Sequence, residues 1–197
     1  KELCRKNNVA VFSSNFPLYT NISDRVMNTL ASFVSKLEVY SVDEAFLDLS
    51  GFEKINLDEY AQKIKSTVEQ TTGIPVSIGI GKTKTLAKIA NNLAKKSSKA
   101  KGIVVLLNEK HIDVALEKTK ISDVWGIGRA QSEKLHALGI KTALDFRNYK
   151  NEKVILKLLT KVGLQRKHEL MGQACFELEV VPNPKKEIMV SRTFSQA

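Results

Sequence analysis

Across 197 residues the chain is 43% hydrophobic, enough to bury a core in one large domain or two small ones, and it carries a formal net charge of +10. Two distant cysteines, Cys4 and Cys175, and three isolated histidines, His111, His136 and His168, exclude a disulfide framework and a Cys/His zinc site. The longest apolar run, residues 103–107, is far too short to cross a bilayer, so a reduced, cytoplasmic protein with no membrane partner is expected.

The charge is uneven. Residues 1–79 carry 8 basic and 10 acidic side chains, residues 80–120 carry 10 and 3, and residues 121–197 carry 13 and 8. That pattern suits a polyanion held beside a metal site, and a generally basic protein fits it as well.

In chain order, residues 9–12 (Val-Ala-Val-Phe) predict a strand, ended by Ser13-Ser14-Asn15. From Ser23, the apolar positions Val26, Leu30, Val34 and Leu37 recur at helical spacing. Two β-prone runs, residues 39–42 and 45–49, then flank Asp43 and Glu44. A hairpin with the acid pair at or near its tip follows. Such a hairpin can hold two hard oxygen ligands for magnesium, which takes one or two carboxylates and completes its shell with water and phosphates. A solvated Asp-Glu turn fits the spacing too. Asp48 lies on the same side as Phe46.

Asn56, with Glu59 three residues on, marks the start of a helix carrying Tyr60, Ile64 and Val68, stopped by Gly73 and Pro75. Residues 76–80 alternate as a strand, with Gly79 where something can approach closely. A Lys-rich helix over residues 83–96, a loop over 97–102, a strand over 103–107 and a helix over 109–117 complete this part. Interleaved helices and strands with a hairpin among them predict an α+β fold, a mixed sheet with helices on one face.

Within the Lys-rich helix, Lys84, Lys88, Asn91 and Lys95 fall within about 60° of one another. Leu86, Ile89, Ala90 and Leu93 lie opposite. Three ammonium groups on one face can follow a phosphate chain. An ordinary solvated face is the alternative, and no Walker A loop is present.

Residues 121–140 read as a helix-hairpin-helix: a short helix to Trp125, the turn Gly126-Ile127-Gly128, Arg129, and a second helix with Leu135 and Leu138. The glycines let bare N–H groups reach a phosphate at the start of the second helix, holding DNA without reading its sequence. A purely structural turn is the alternative. Thr142 caps a third helix through Phe146. Residues 180–186 have linker composition, and residues 188–197 begin something new.

Residues 40–51, YSVDEAFLDLSG, resemble the second carboxylate motif of the Y-family, or translesion, DNA polymerases. The segment GIGKTKTLAKIA, residues 79–90, is similar to a palm segment of that family, and the Gly-Ile-Gly pattern to its thumb. Ser191-Arg192-Thr193-Phe194 resembles the opening strand of the family's little finger. The wording of residues 83–88, of Lys95-Lys96 and of residues 191–194 is similar to the UmuC-like branch.

The resemblance implies a polymerase palm over residues 1–118, a helix-hairpin-helix thumb over 119–179, a linker over 180–188 and the start of a little finger over 189–197. It makes Asp43 a magnesium ligand and Glu44 the neighbouring catalytic carboxylate on the metals. It places Lys95 on the phosphates of the incoming deoxynucleoside triphosphate, with Lys84 and Lys88 beside it. Two Mg2+ ions would assist attack of a primer 3′-oxygen on the α-phosphate, with pyrophosphate leaving. Primer-template DNA, UmuD-like subunits, a recombinase filament and a sliding clamp are the implied partners, in an SOS-type DNA damage response of the bacterial cytoplasm. The family's first palm strand, with another aspartate, and its fingers are expected before Lys1, and most of the little finger after Ala197. The chain alone is therefore expected to bind DNA weakly without polymerising. A non-catalytic DNA-binding module is the rival. A nucleotide cyclase has no use for a duplex grip.

Overall fold

The computed structural model describes residues 2–52 and 54–181. A short helix, α1 (Glu2–Lys6), leads into an extended, exposed segment where a strand was predicted over residues 9–12. Val11 and Phe12 are exposed, and no strand among the described residues pairs with this run. β-prone side chains without a partner ladder do not make a strand. The next helix, α2 (Phe16–Ala31), starts before Ser23 because Asn15 Oδ1 accepts the Leu18 N–H at 3.3 Å and Pro17 suits the first turn. It also stops short of Leu37, which opens the following strand.

That strand, β1 (Leu37–Ser41), pairs antiparallel with β2 (Glu44–Leu47). Glu38 faces Phe46 and Val39 faces Ala45, and the register slips before Ser41 pairs with Glu44. Asp43 thus sits in the turn, while Glu44 belongs to a strand. Helix α3 (Leu57–Thr72) begins as predicted: Asn56 accepts the N–H groups of Asp58 and Glu59 and donates to Glu59 Oε1 at 2.9 Å.

Then come β3 (Ile78–Gly81), α4 (Lys84–Lys96) and β4 (Ile103–Leu106), with β3 and β4 parallel and the helix as their crossover. Among the described residues the strands therefore form two two-stranded sheets, one antiparallel and one parallel, within the α+β class. The partner that Gly79 admits is α4 itself. A Cβ on Gly79 would lie 2.0 Å from the Asn91 nitrogen and 2.4 Å from the Ala87 oxygen, and one on Gly81 2.8 Å from the Ala87 nitrogen.

Four further helices follow: α5 (Glu109–Lys118), α6 (Arg129–His136), α7 (Ala143–Asn148) and α8 (Glu152–Leu170). The segment before Trp125 is only a 3-10 turn, Ile121–Asp123. Thr142 caps α7 in a reciprocal box with Asp145. Leu86 and Ile89 of α4, Leu106, and Leu116 of α5 pack in one cluster with Ile121, Leu135, Phe146 and Leu170. This core is continuous across residues 118–119. The expected linker beyond residue 181 and the 189–197 segment lie outside the described residues.

Helix α8 is broken at Thr160, which has φ 64° and ψ −176°. That region is essentially glycine's, and a β-branched residue there is strained by about 1–3 kcal/mol. Thr160 is exposed, so no packing depends on its side chain. Thr160→Gly is expected to raise unfolding stability by about 1 kcal/mol after glycine's own entropy cost. Urea unfolding followed by circular dichroism checks this, and an unchanged or lower midpoint would count against a strained kink.

Candidate active site

The lysine face of α4 turns toward the acid hairpin. Lys88 Nζ donates to Glu44 Oε1 at 2.6 Å and stands 5.6 Å from the Tyr40 ring centre. One turn earlier, Lys84 pairs with Glu38, their side chains only 10% and 9% exposed. Lys84 also donates to the Glu177 carbonyl at 2.7 Å, and the Glu179 N–H donates to Glu38 Oε2 at 2.9 Å. Lys84 is thus closed in by hairpin and tail. Asn91 accepts the Ser77 hydroxyl at 2.8 Å, holding α4 to the stretch before β3. Lys95 joins Glu44, Lys88, Asn91, Asn92, Asp123 and Trp125 around a cleft of about 220 Å³.

Asp43 is exposed, and its Oδ1 accepts the Ser41 hydroxyl at 2.7 Å. Asp48 is differently engaged. Hydrogen bonds from the Ser50 hydroxyl and N–H, aided by Lys36, hold its carboxyl below the usual range. Among the described residues no third His, Cys, Asp or Glu joins Asp43 and Glu44 in one cluster. Two adjacent carboxylates nevertheless suit a magnesium ion whose shell substrate phosphates complete. An ammonium already stands against Glu44, so the position favours positive charge.

The Gly-Ile-Gly turn is built asymmetrically. Gly126 has φ 77°, and a Cβ there would lie about 2.2 Å from the Arg166 guanidinium carbon. Ile127 is buried, and its N–H donates to the Val124 carbonyl at 2.9 Å, so neither its side chain nor its amide is offered to a phosphate. Gly128 is the N-cap of α6, with φ −80° and no side-chain cap, and a Cβ there would meet nothing within 4 Å. Arg129 is 95% exposed and paired at 3.1 Å with Glu133, a surface contact worth little. The open part of the turn is therefore Gly128 and Arg129.

Contacts that no sequence pattern signalled join these parts. Trp125 Nε1 donates to the Tyr40 hydroxyl at 3.0 Å, and its ring meets Tyr40, Phe46 and Phe176 at centroid distances of 5.7, 5.7 and 5.5 Å. The Arg166 guanidinium lies 5.9 Å from both the Trp125 and Phe176 rings, and its Nε is buried without a partner among the described residues. Burial pulls the guanidinium's pKa below its ordinary value. Glu169 is fully buried where α8 meets the start of α4.

The sequence profile of the impB/mucB/samB family matches residues 1–92, and the same family's HHH motif matches residues 110–140. Protein UmuC of Salmonella typhimurium is 43% identical over 198 residues, covering 100% of this chain and 47% of its own length. A DinB family error-prone DNA polymerase from Sulfolobus solfataricus superposes with a TM-score of 0.69 at 27% identity, over 90% of this chain and 53% of that one. An insertion ternary complex of Dbh DNA polymerase gives a TM-score of 0.69 at 29% identity, over 86% and 48%. The chain spans about half the length of the relatives it matches. With two family patterns along it and UmuC-type identity throughout, the chain belongs to the impB/mucB/samB family of Y-family DNA polymerases, on the UmuC-like side.

Proposed function

We propose that this chain forms the palm (residues 1–118) and thumb (119–179) of a translesion DNA polymerase that adds nucleotides to a primer end. The observation that carries this is the cleft where Glu44 of the hairpin, Lys88 and Lys95 of α4, and Trp125 at the base of the Gly-Ile-Gly turn meet. Acid pair, phosphate cations and duplex grip are the parts such a reaction needs in one place.

Asp43 and Glu44 would hold the magnesium ions, which supply charge stabilisation to the entering and leaving oxygens. Lys95 offsets the triphosphate's charge from the cleft wall. Lys88 is within reach of both Glu44 and that cleft, so it can exchange one anion for the other. Lys84 braces the far end of the face through Glu38. Gly128 and Arg129 hold the duplex by its phosphates, without base contacts. The proposal extends to an SOS-type damage response in the bacterial cytoplasm and to UmuD-like subunits, a recombinase filament and a sliding clamp, which rest on family resemblance. No described helix is long and apolar enough to cross a membrane.

In a protein carrying this chain at its relatives' full length, Asp43→Ala is expected to abolish primer extension and leave duplex affinity intact. Appreciable extension by the variant would remove Asp43 from the metal site.

Gly128→Val is expected to weaken duplex binding about equally for unrelated sequences, because the new side chain blocks phosphate approach while clearing the protein's own atoms. Gly126→Val is expected instead to lower stability, since φ 77° and the Arg166 guanidinium oppose it. Fluorescence anisotropy and thermal unfolding separate the two. Sequence-selective loss at Gly128, or none, would oppose the grip.

For this 197-residue chain, log K for duplex DNA should fall against log[salt] with a slope of roughly −3 to −4.5, for about three to five phosphates neutralised. Salt-independent binding would contradict an electrostatic grip.

A further inference from the structure

Glu169, in the last turn of α8, is fully buried and makes no salt bridge among the described residues. Four donors meet its carboxylate instead. Oε2 accepts the Thr85 N–H and hydroxyl, both at 2.8 Å, and Oε1 accepts the N–H groups of Cys175 at 2.9 Å and Phe176 at 3.2 Å. The Thr83 hydroxyl donates to the Glu169 carbonyl at 2.9 Å, and Thr83 Oγ1 caps α4 by accepting the Leu86 N–H at 3.2 Å.

One acid therefore joins three pieces: the start of α4, which carries the lysine face; the end of α8; and the turn that brings Phe176 against Trp125. Its charge faces the N-terminal end of α4, where the helix dipole favours an anion. A buried carboxylate is tolerated only when its lone pairs are met, and here both oxygens are met twice, from two different segments. An apolar contact would pack two helices together equally well. The carboxylate adds a fixed direction and spacing.

We propose that Glu169 is a positioning residue: its carboxylate locks the lysine face of α4 and the Gly-Ile-Gly turn into one alignment, so that nucleotide phosphates and duplex backbone meet at the hairpin acids together. This rests on the polymerase assignment above. Glu169 touches no reacting atom, and each grip is built from other residues. Its loss should leave each binding step intact and disturb their joint geometry.

The test is burst kinetics on primer-template DNA, in a protein carrying this chain at its relatives' full length. In Glu169→Gln the side chain keeps its shape and one acceptor oxygen, but its NH2 cannot accept, so either the Thr85 or the Cys175–Phe176 clasp opens. The expected result is an unchanged burst amplitude with a burst rate lower by about ten- to a hundredfold. Nucleotide and duplex affinities should stay within about twofold. A reduced amplitude at unchanged rate would show a role in folding alone and overturn the proposal, as would an unchanged rate and amplitude. If Glu169→Gln does not fold, Thr85→Val, which withdraws only the hydroxyl, carries the same comparison: a slower burst at full amplitude supports the role, and an unaltered burst overturns it. An unmodified protein that extends no primer would overturn the polymerase assignment, and this role with it, before any variant is compared.

Discussion

The approach of α4 to β3 is the constraint on which the rest depends. No side chain fits between them at Gly79 or Gly81, so the helix backbone rests on the strand backbone. With its apolar face fixed there and in the core, the helix has only one direction left for its lysines. Lys84 and Lys88 then arrive opposite Glu38 and Glu44, and Lys95 at the mouth of the cleft. A methyl group at Gly79 would lift α4, and the acids of the hairpin would lose their counter-charges together.

The two ion pairs on that face differ in kind. Lys84–Glu38 is nearly sealed and has extra hydrogen bonds to the backbone of Glu177 and Glu179. Removing one partner from such a pair leaves a buried charge, which costs about 3–5 kcal/mol. Lys88–Glu44 keeps 22% and 25% of its side-chain surface and borders the cleft. Water reaches it, so separating its partners is far less costly. The first pair behaves as framework and the second as an exchangeable contact, although both lysines belong to one stripe.

Local chemistry was legible and distant chemistry was not. The Asn56 cap, the apolar side of α4, the Thr142 cap and the glycine turn all depend on neighbours within a few residues, and each stands where its pattern put it. Residues 9–12 misled because β propensity describes a side chain's fit to a sheet and not whether a neighbouring strand exists. The start of α2 was missed because a cap and a proline outweighed apolar periodicity. The counter-ions of the lysine face, the Trp125–Tyr40 hydrogen bond and the hold of Glu169 on Thr85 were illegible for one reason: each joins residues 44 to 85 positions apart, where no periodicity or spacing rule reaches. The hairpin that carries Asp43 and Glu44 was legible from its β-prone runs, whereas the role read for the two acids rests on the wording around them, which resembles a known motif.

The hydrogen bond from Glu179 to Glu38 spans 141 positions, and that from Lys84 to Glu177 spans 93. Contacts so remote in the chain are the entropically slow ones to close. The α4 crossover and the helical turns can form from nearby segments, whereas the seal over the hairpin waits for the chain to come back from the far end of α8. During synthesis the acid pair is made early and its surroundings are completed only after the last of these segments has emerged. The site is thus assembled in order of sequence distance, and a chain stalled before Glu177 holds Lys84 and Glu38 without the backbone that closes over them.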